Sequence, residues 1–150
     1  MSPDYLKPAD QDFMNAAIAA SLSQAGRTGE NPNVGCVIVK NGVIIGRGAT
    51  ADGGRPHAET LALAQAGAAA RGADVYVTLE PCSHFGQTPP CTDALIQAGI
   101  QRCFIALIDP DPRVNFQGAA KLQEAGIDTS IGLCEISAKE AMSDWLKNRA

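Results

Sequence analysis

Aromatic residues are scarce in this chain, 5% of 150 residues, with four Phe, two Tyr and one Trp. Any core must therefore be built from Ala, Ile, Leu and Val, which the apolar fraction of 45% supplies. Cationic charge is short as well: 12 Lys and Arg stand against 16 Asp and Glu, a net charge of −4. That balance argues against a generic nucleic-acid binder, which carries a basic face. No apolar run approaches the roughly 20 residues that span a bilayer. The stretch from Met1 to Pro8 lacks the charged-then-apolar pattern of an export signal. Repeats, low-complexity tracts and a Gly-rich dinucleotide-binding motif are also missing, so no dinucleotide-dependent activity is expected. The five cysteines are odd in number and follow no export signal. They read as thiols kept for metal or core in a reducing compartment, not as a disulfide framework. What these absences leave is a cytoplasmic protein with one domain over residues 1–150, long enough to bury roughly two-thirds of its unfolded surface.

What is present alternates between two periods. Phe13, Ala17, Ala20 and Ala25, with Ile18 and Leu22 beside them, predict a helix over 10–25 that Gly26 ends. Residues 27–33 are dense in turn formers. The apolar run Val34 to Val39, then Asn41-Gly42, then Val43 to Ile45, predicts a hairpin. Further helices are expected over 57–70, 92–98, 118–125 and 137–149, and strands over 75–79, 103–108 and 127–131. Strands alternating with helices imply a layered α/β fold with at least partly parallel strands.

Chemistry concentrates in two stretches. One is His57-Ala58-Glu59; the other is Thr78-Leu79-Glu80-Pro81-Cys82, which reaches a second thiol at Cys91 through a Pro/Gly/Ser loop. An imidazole, two thiols and a spare carboxylate are the parts of a catalytic zinc site with three protein ligands and an open position for water. His57, Cys82 and Cys91 are the expected metal ligands for one Zn²⁺ per chain. Two thiolates would cancel the ion's formal charge, and the metal would still acidify a bound water. Helix starts predicted at His57 and Cys91 would help lower the thiol pKa. Glu59, two residues on, cannot point the way His57 points. It can lie over the open side of the metal as the general acid/base, the role a non-ligand Glu takes in zinc deaminases. The residues alone leave alternatives: an ordinary buried His57, and Cys82 and Cys91 as core thiols or a redox pair. Glu80 reads as a structural anchor that bonds locally, and Cys36, Cys103 and Cys134 as small core residues in strand-like settings.

The eight residues between Cys82 and Cys91 depart from the short Pro-Cys-x-x-Cys of cytidine and RNA-type deaminases. At this point the chain resembles the deaminase domain of the RibD family of riboflavin biosynthesis, within the cytidine/deoxycytidylate deaminase superfamily. The resemblance is carried by Asn31-Pro32-Asn33-Val34-Gly35, Tyr76 to His84, Thr88 to Cys91, Asp93 to Ile96, Asp109-Pro110 and Leu122 to Ile127. It implies a three-layer α/β/α, cytidine-deaminase-like fold around a mixed five-stranded sheet. The implied reaction is hydrolytic loss of ammonia from a 2,5-diamino-6-ribosylamino-pyrimidinone phosphate. Asn31, Thr50, His84 and Gln87 fall at positions that face the substrate. For Asn31 the alternative is building the turn, and for His84 it is stabilising the loop.

The departures from that family share a direction. Thr50 stands where members carry His, and Gln87 where they carry Lys or Arg. Phe116-Gln117-Gly118 replaces a Gly-x-Gly segment with a basic residue. Charge-assisted hydrogen bonds are what a phosphate needs. The expectation is retained chemistry on a less phosphorylated substrate or another aminated heterocycle; the alternative is that Arg55, Arg113 or Lys121 supplies the charge from another direction. A small-molecule substrate, no nucleic acid and a homo-oligomer, dimer or tetramer, complete the reading. Trp145, close to Met142, Leu146 and Arg149 on the terminal helix, is expected in the core, or at a subunit interface. A nucleic-acid-editing deaminase and a non-catalytic zinc module are the competing readings.

Overall fold

The computed structural model of the chain describes residues 7–86 and 88–147. Five strands form one sheet: β1 (Gly35–Lys40), β2 (Val43–Ala49), β3 (Asp74–Leu79), β4 (Arg102–Leu107) and β5 (Asp128–Ile131). Their order is β2-β1-β3-β4-β5. β1 is antiparallel to both β2 and β3, while β3, β4 and β5 run parallel. This is the mixed five-stranded sheet that the resemblance implied. The β1–β2 hairpin turns at Asn41-Gly42, with φ of +52° and +78°. Two consecutive left-handed residues are what a two-residue hairpin loop requires. β3 and β4 are almost wholly apolar because helices cover both of their faces.

Those helices are α1 (Pro8–Ser23), α2 (Ala58–Ala66), α3 (Cys91–Ala98), α4 (Gln117–Glu124), α5 (Glu135–Ala141) and α6 (Ser143–Lys147). α1 lies on β1, β2 and β3 and touches α5, which lies on β4. On the other face α2 covers β2 and β1, meets α3, and α3 meets α4 beside β5. The result is three layers, α/β/α. None of the described helices is long and apolar enough to cross a membrane.

With few aromatics available, the centre depends on one stack. Tyr76 lies flat on Phe104, centroids 4.5 Å apart and planes 2° from parallel. The Tyr76 hydroxyl donates to the buried Asp10 carboxylate, which also accepts the Lys7 backbone N–H at 2.8 Å and so caps α1. Elsewhere backbones meet directly. A Cβ on Gly48 would sit 2.3 Å from the Ala58 carbonyl oxygen, so β2 lets the first turn of α2 rest on the sheet itself. That contact places the helix start carrying His57 and Glu59.

Two helices and one cysteine differ from expectation. The helix over 57–70 is α-helical only to Ala66 and tightens to a 3₁₀ turn at Gly67–Ala70. The terminal helix is two helices broken at Met142. Asn33 Nδ2 donates to the Ala141 carbonyl at 2.9 Å and to that of Ser21 at 3.0 Å. The Ala141 acceptor is thereby drawn off the helical ladder, and the helix stops. Residues 148–150, with Arg149, lie outside the described residues. Cys36 and Cys103 are core residues, but Cys134 is in no strand; it precedes α5 with φ +59° and is half-buried.

Candidate active site

The loops that follow β3 and β4 open at one end of the sheet, where α2 and α3 also begin. In open α/β sheets that end, beyond the carboxyl ends of parallel strands, is where ligands bind. A cleft of about 560 Å³ lies there, within the usual range for small-molecule sites. Its walls include Asn31, Thr50, Arg55, His57, Glu59, Cys82 and His84.

At its floor, His57, Cys82 and Cys91 form the one cluster among the described residues with metal-ligand chemistry, all three donor atoms within 4.8 Å of one another. His57 precedes α2 in extended conformation, and Cys91 is the first residue of α3. The His57 Nδ1 lies 3.5 Å from the Cys91 Sγ and 4.0 Å from the Cys82 Sγ. A tetrahedral zinc with Zn–S near 2.3 Å and Zn–N near 2.0 Å separates its ligand atoms by roughly 3.5 to 3.8 Å. The donor set therefore fits one zinc ion. Cys82 also holds the start of α3: its Sγ accepts the Cys91 backbone N–H at 3.2 Å, and its carbonyl accepts that of Thr92 at 3.1 Å. Two N–H groups that would be orphaned at the helix start are thus satisfied.

These contacts set the charges. The Cys91 thiol hydrogen bond, aided by His57 and the Cys91 backbone N–H, holds the Cys82 thiol down to about 4 against the effect of burial. Cys91 is pushed the other way, first by Cys82 and then by burial. The Cys82 sulfur raises the pKa of His57 in spite of burial. Glu59 is 4% exposed in the first turn of α2. Burial is the largest influence on its carboxyl and brings it up to about 7, while its own backbone N–H, His57 and the Cys91 thiol pull downward. A carboxyl poised near neutrality beside a metal cluster suits proton transfer in both directions.

Around that floor the expected residues fare differently. Asn31 lines the cleft and its Nδ2 donates to the Gly54 carbonyl at 3.0 Å, so it both faces the cavity and ties two loops. Thr50 is a buried wall whose hydroxyl accepts the Val34 N–H at 2.9 Å. His84 is on the wall and exposed. Gln87 lies outside the described residues. Glu80 is an anchor, but not a local one: its carboxylate accepts the backbone N–H groups of Asp109 (3.2 Å), Phe116 (3.1 Å) and Ala119 (3.0 Å). It thereby fixes the loop after β4, whose Asp109, Asp111, Arg113 and Val114 complete the wall. Sequence reasoning missed Val114, and Trp145, placed in the core or an interface, packs on the core and also lines the cleft. Neither carries a local motif that would have flagged it.

Comparison with known proteins agrees with this geometry. The riboflavin biosynthesis protein RibD of Escherichia coli (strain K12) is 52% identical over 139 residues, 91% of this chain and 38% of that protein. The solved structure of Acinetobacter baumannii RibD, form 1, superposes with a TM-score of 0.89 at 47% identity, covering 93% of this chain and 39% of that one. A Thermotoga maritima structure described as a diaminohydroxyphosphoribosylaminopyrimidine deaminase/5-amino-6-(5-phosphoribosylamino)uracil reductase gives 0.87 at 39% identity, covering 93% and 40%. The chain thus spans about two-fifths of the length of these relatives. The model of the cytidine and deoxycytidylate deaminase zinc-binding region matches residues 7–107, which contain His57, Glu59, Cys82 and Cys91. With the three-layer fold and the His–Cys–Cys cluster already in place, that match settles the family: the chain belongs to the family defined by the cytidine and deoxycytidylate deaminase zinc-binding region.

Proposed function

We propose that this chain is a zinc-dependent hydrolytic deaminase that releases ammonia from an amino-pyrimidine, the ribosylamino-pyrimidinone phosphate named for its Thermotoga relative being the first substrate to test. The observation that carries the reading is the buried Glu59 carboxyl beside the His57–Cys82–Cys91 cluster on the floor of the cleft. His57, Cys82 and Cys91 hold the metal. When bound, zinc supplies Lewis acidity that brings a water's first proton loss near neutral pH. Glu59 accepts that proton, passes it to the ring nitrogen as the carbon is attacked, and assists the departing ammonia. Water and the amine are consumed; the ring carbonyl and ammonia are formed. Burial of Glu59 keeps the proton inside the site, and the anchoring of the 109–117 loop by Glu80 keeps the wall closed against the ring.

The activity belongs to one domain, whose core among the described residues runs continuously through both helix layers. Five free cysteines, three of them outside the cluster, suit a cytoplasmic setting. The test of function is an ammonia-release screen of the zinc-loaded protein. It covers aminopyrimidines, nucleobases, nucleosides and pterins, each with and without phosphate. Release from the ribosylamino-pyrimidinone is the expected result; release from none of them would overturn the reading.

A further inference from the structure

We propose that Trp145 is a specificity-determining residue of this cleft: its indole is the wall against which the substrate's ring packs, and it closes the cleft to fused, two-ring heterocycles. The inference rests on the deaminase reading above and deepens it by setting the size of ring the site takes.

The chain holds one tryptophan, and it stands at the active site. Among the described residues that line the cleft it is the sole Phe, Tyr or Trp. The other large apolar side chains there, Val34, Leu79 and Val114, are aliphatic. A flat heteroaromatic ring gains most from a flat aromatic partner, and an indole offers the largest such surface.

Trp145 also borders a second cavity, of about 660 Å³, whose walls include Leu22, Glu30, Glu140 and Asp144. Asn31 and Trp145 are the two residues that line both cavities, so an amide and an indole make the partition. Asn31 is fixed in its loop: its Nδ2 donates to the Gly54 carbonyl at 3.0 Å, and its own carbonyl accepts the Thr28 hydroxyl at 2.6 Å. The bulk of the partition is therefore the indole.

The fold holds that indole in place. The break at Met142, made where Asn33 takes the Ala141 carbonyl, sets the five-residue α6 apart from α5. Within α6 the Leu146 N–H donates to the Met142 carbonyl at 2.9 Å. Trp145 is half-buried, with one part packed on the core and another lining the cleft. A side chain braced from behind is a wall that does not swing aside freely.

Ring size follows from the partition. Pterin carries the same 2-amino-4-oxo edge as the pyrimidinone but has a second ring fused on its other side. With the indole present, that second ring meets the wall. Cutting the indole back to Ala joins the two cavities and gives the second ring room, while a single ring loses its stacking surface.

The probes are 5,6-diaminouracil, the product ring without its sugar, and lumazine, the product ring of pterin deamination. With zinc-loaded wild type, 5,6-diaminouracil should quench the fluorescence of the one tryptophan. Calorimetry should show Trp145→Ala binding 5,6-diaminouracil roughly tenfold more weakly and lumazine more tightly than wild type does. Trp145→Phe, which keeps a flat ring, should retain most of the 5,6-diaminouracil affinity. In turnover of the ribosylamino-pyrimidinone, Trp145→Ala should raise KM with kcat held. Zinc content and the urea midpoint show that each variant is folded. No quenching in wild type, or equal loss of both probes in a folded Trp145→Ala, would overturn the proposal. If wild type releases ammonia from no ring yet 5,6-diaminouracil quenches the indole and the two affinities move apart in Trp145→Ala, the wall stands and the deaminase reading falls.

Discussion

The backbone N–H of Cys91 donates to the Sγ of Cys82 at 3.2 Å, so the residue that opens α3 also steadies the thiolate nine positions before it. The Cys91 thiol is the larger influence on Cys82, and with the His57 ring and this backbone bond it stabilises Cys82 as an anion. Removal of zinc with a chelator should therefore leave Cys82 as the fastest thiol to alkylate, while Cys36 and Cys103 stay protected in the core. Mass-spectrometric mapping after brief iodoacetamide treatment reads this out. Equal labelling before and after chelation would contradict it.

Glu80 connects two loops that no local motif joins. Glu80→Gln would set an amide N–H₂ against at least one of three backbone donors now facing a carboxylate. The expected cost is about 2 kcal/mol of stability. Loosening of the 109–117 wall should raise KM while zinc content holds. Urea unfolding with metal analysis checks both; a stable variant with unchanged KM would show that the loop holds itself.

Gly48 is where β2 and α2 touch through their backbones. Gly48→Ala places a methyl 2.3 Å from the Ala58 carbonyl, and neither backbone can yield easily. The helix must shift, at a cost of about 2 kcal/mol or more. Because His57 and Glu59 sit at its first turn, ammonia release should fall with stability. Full activity in a folded Gly48→Ala protein would mean that α2 is not positioned by this contact.

Tyr76 and Asp10 make a prediction about stability alone. Tyr76→Phe keeps the stack on Phe104 but leaves the buried Asp10 with one partner fewer. A loss of about 2 kcal/mol is expected, with zinc content and kcat unchanged. An unchanged urea midpoint would assign the bond no net value.

What could be read from the chain itself follows from how local each signal is. The Asn41-Gly42 turn, the strand and helix periods and the His57–Glu59 and Cys82–Cys91 motifs are written in neighbouring residues, and elements and cluster formed as their patterns indicated. The break at Met142 was not legible, because its cause is Asn33, 108 positions away in sequence. For the same reason Glu80 looked like a local anchor, although its three donors lie 29 to 39 residues on. Trp145 looked like core or interface because a helical period shows a buried face but not a cavity beside it. Arg55 and Arg113 were equal alternatives in the sequence; only the ion pair of Arg113 with Asp111 separates them.

The most direct measurement is ammonia release by zinc-loaded wild type and by Glu59→Gln, with zinc counted in the same samples. Wild type should release ammonia from the ribosylamino-pyrimidinone substrate and Glu59→Gln should lose roughly a hundredfold or more, with about one zinc per chain in both. Equal release by the two proteins would contradict this expectation.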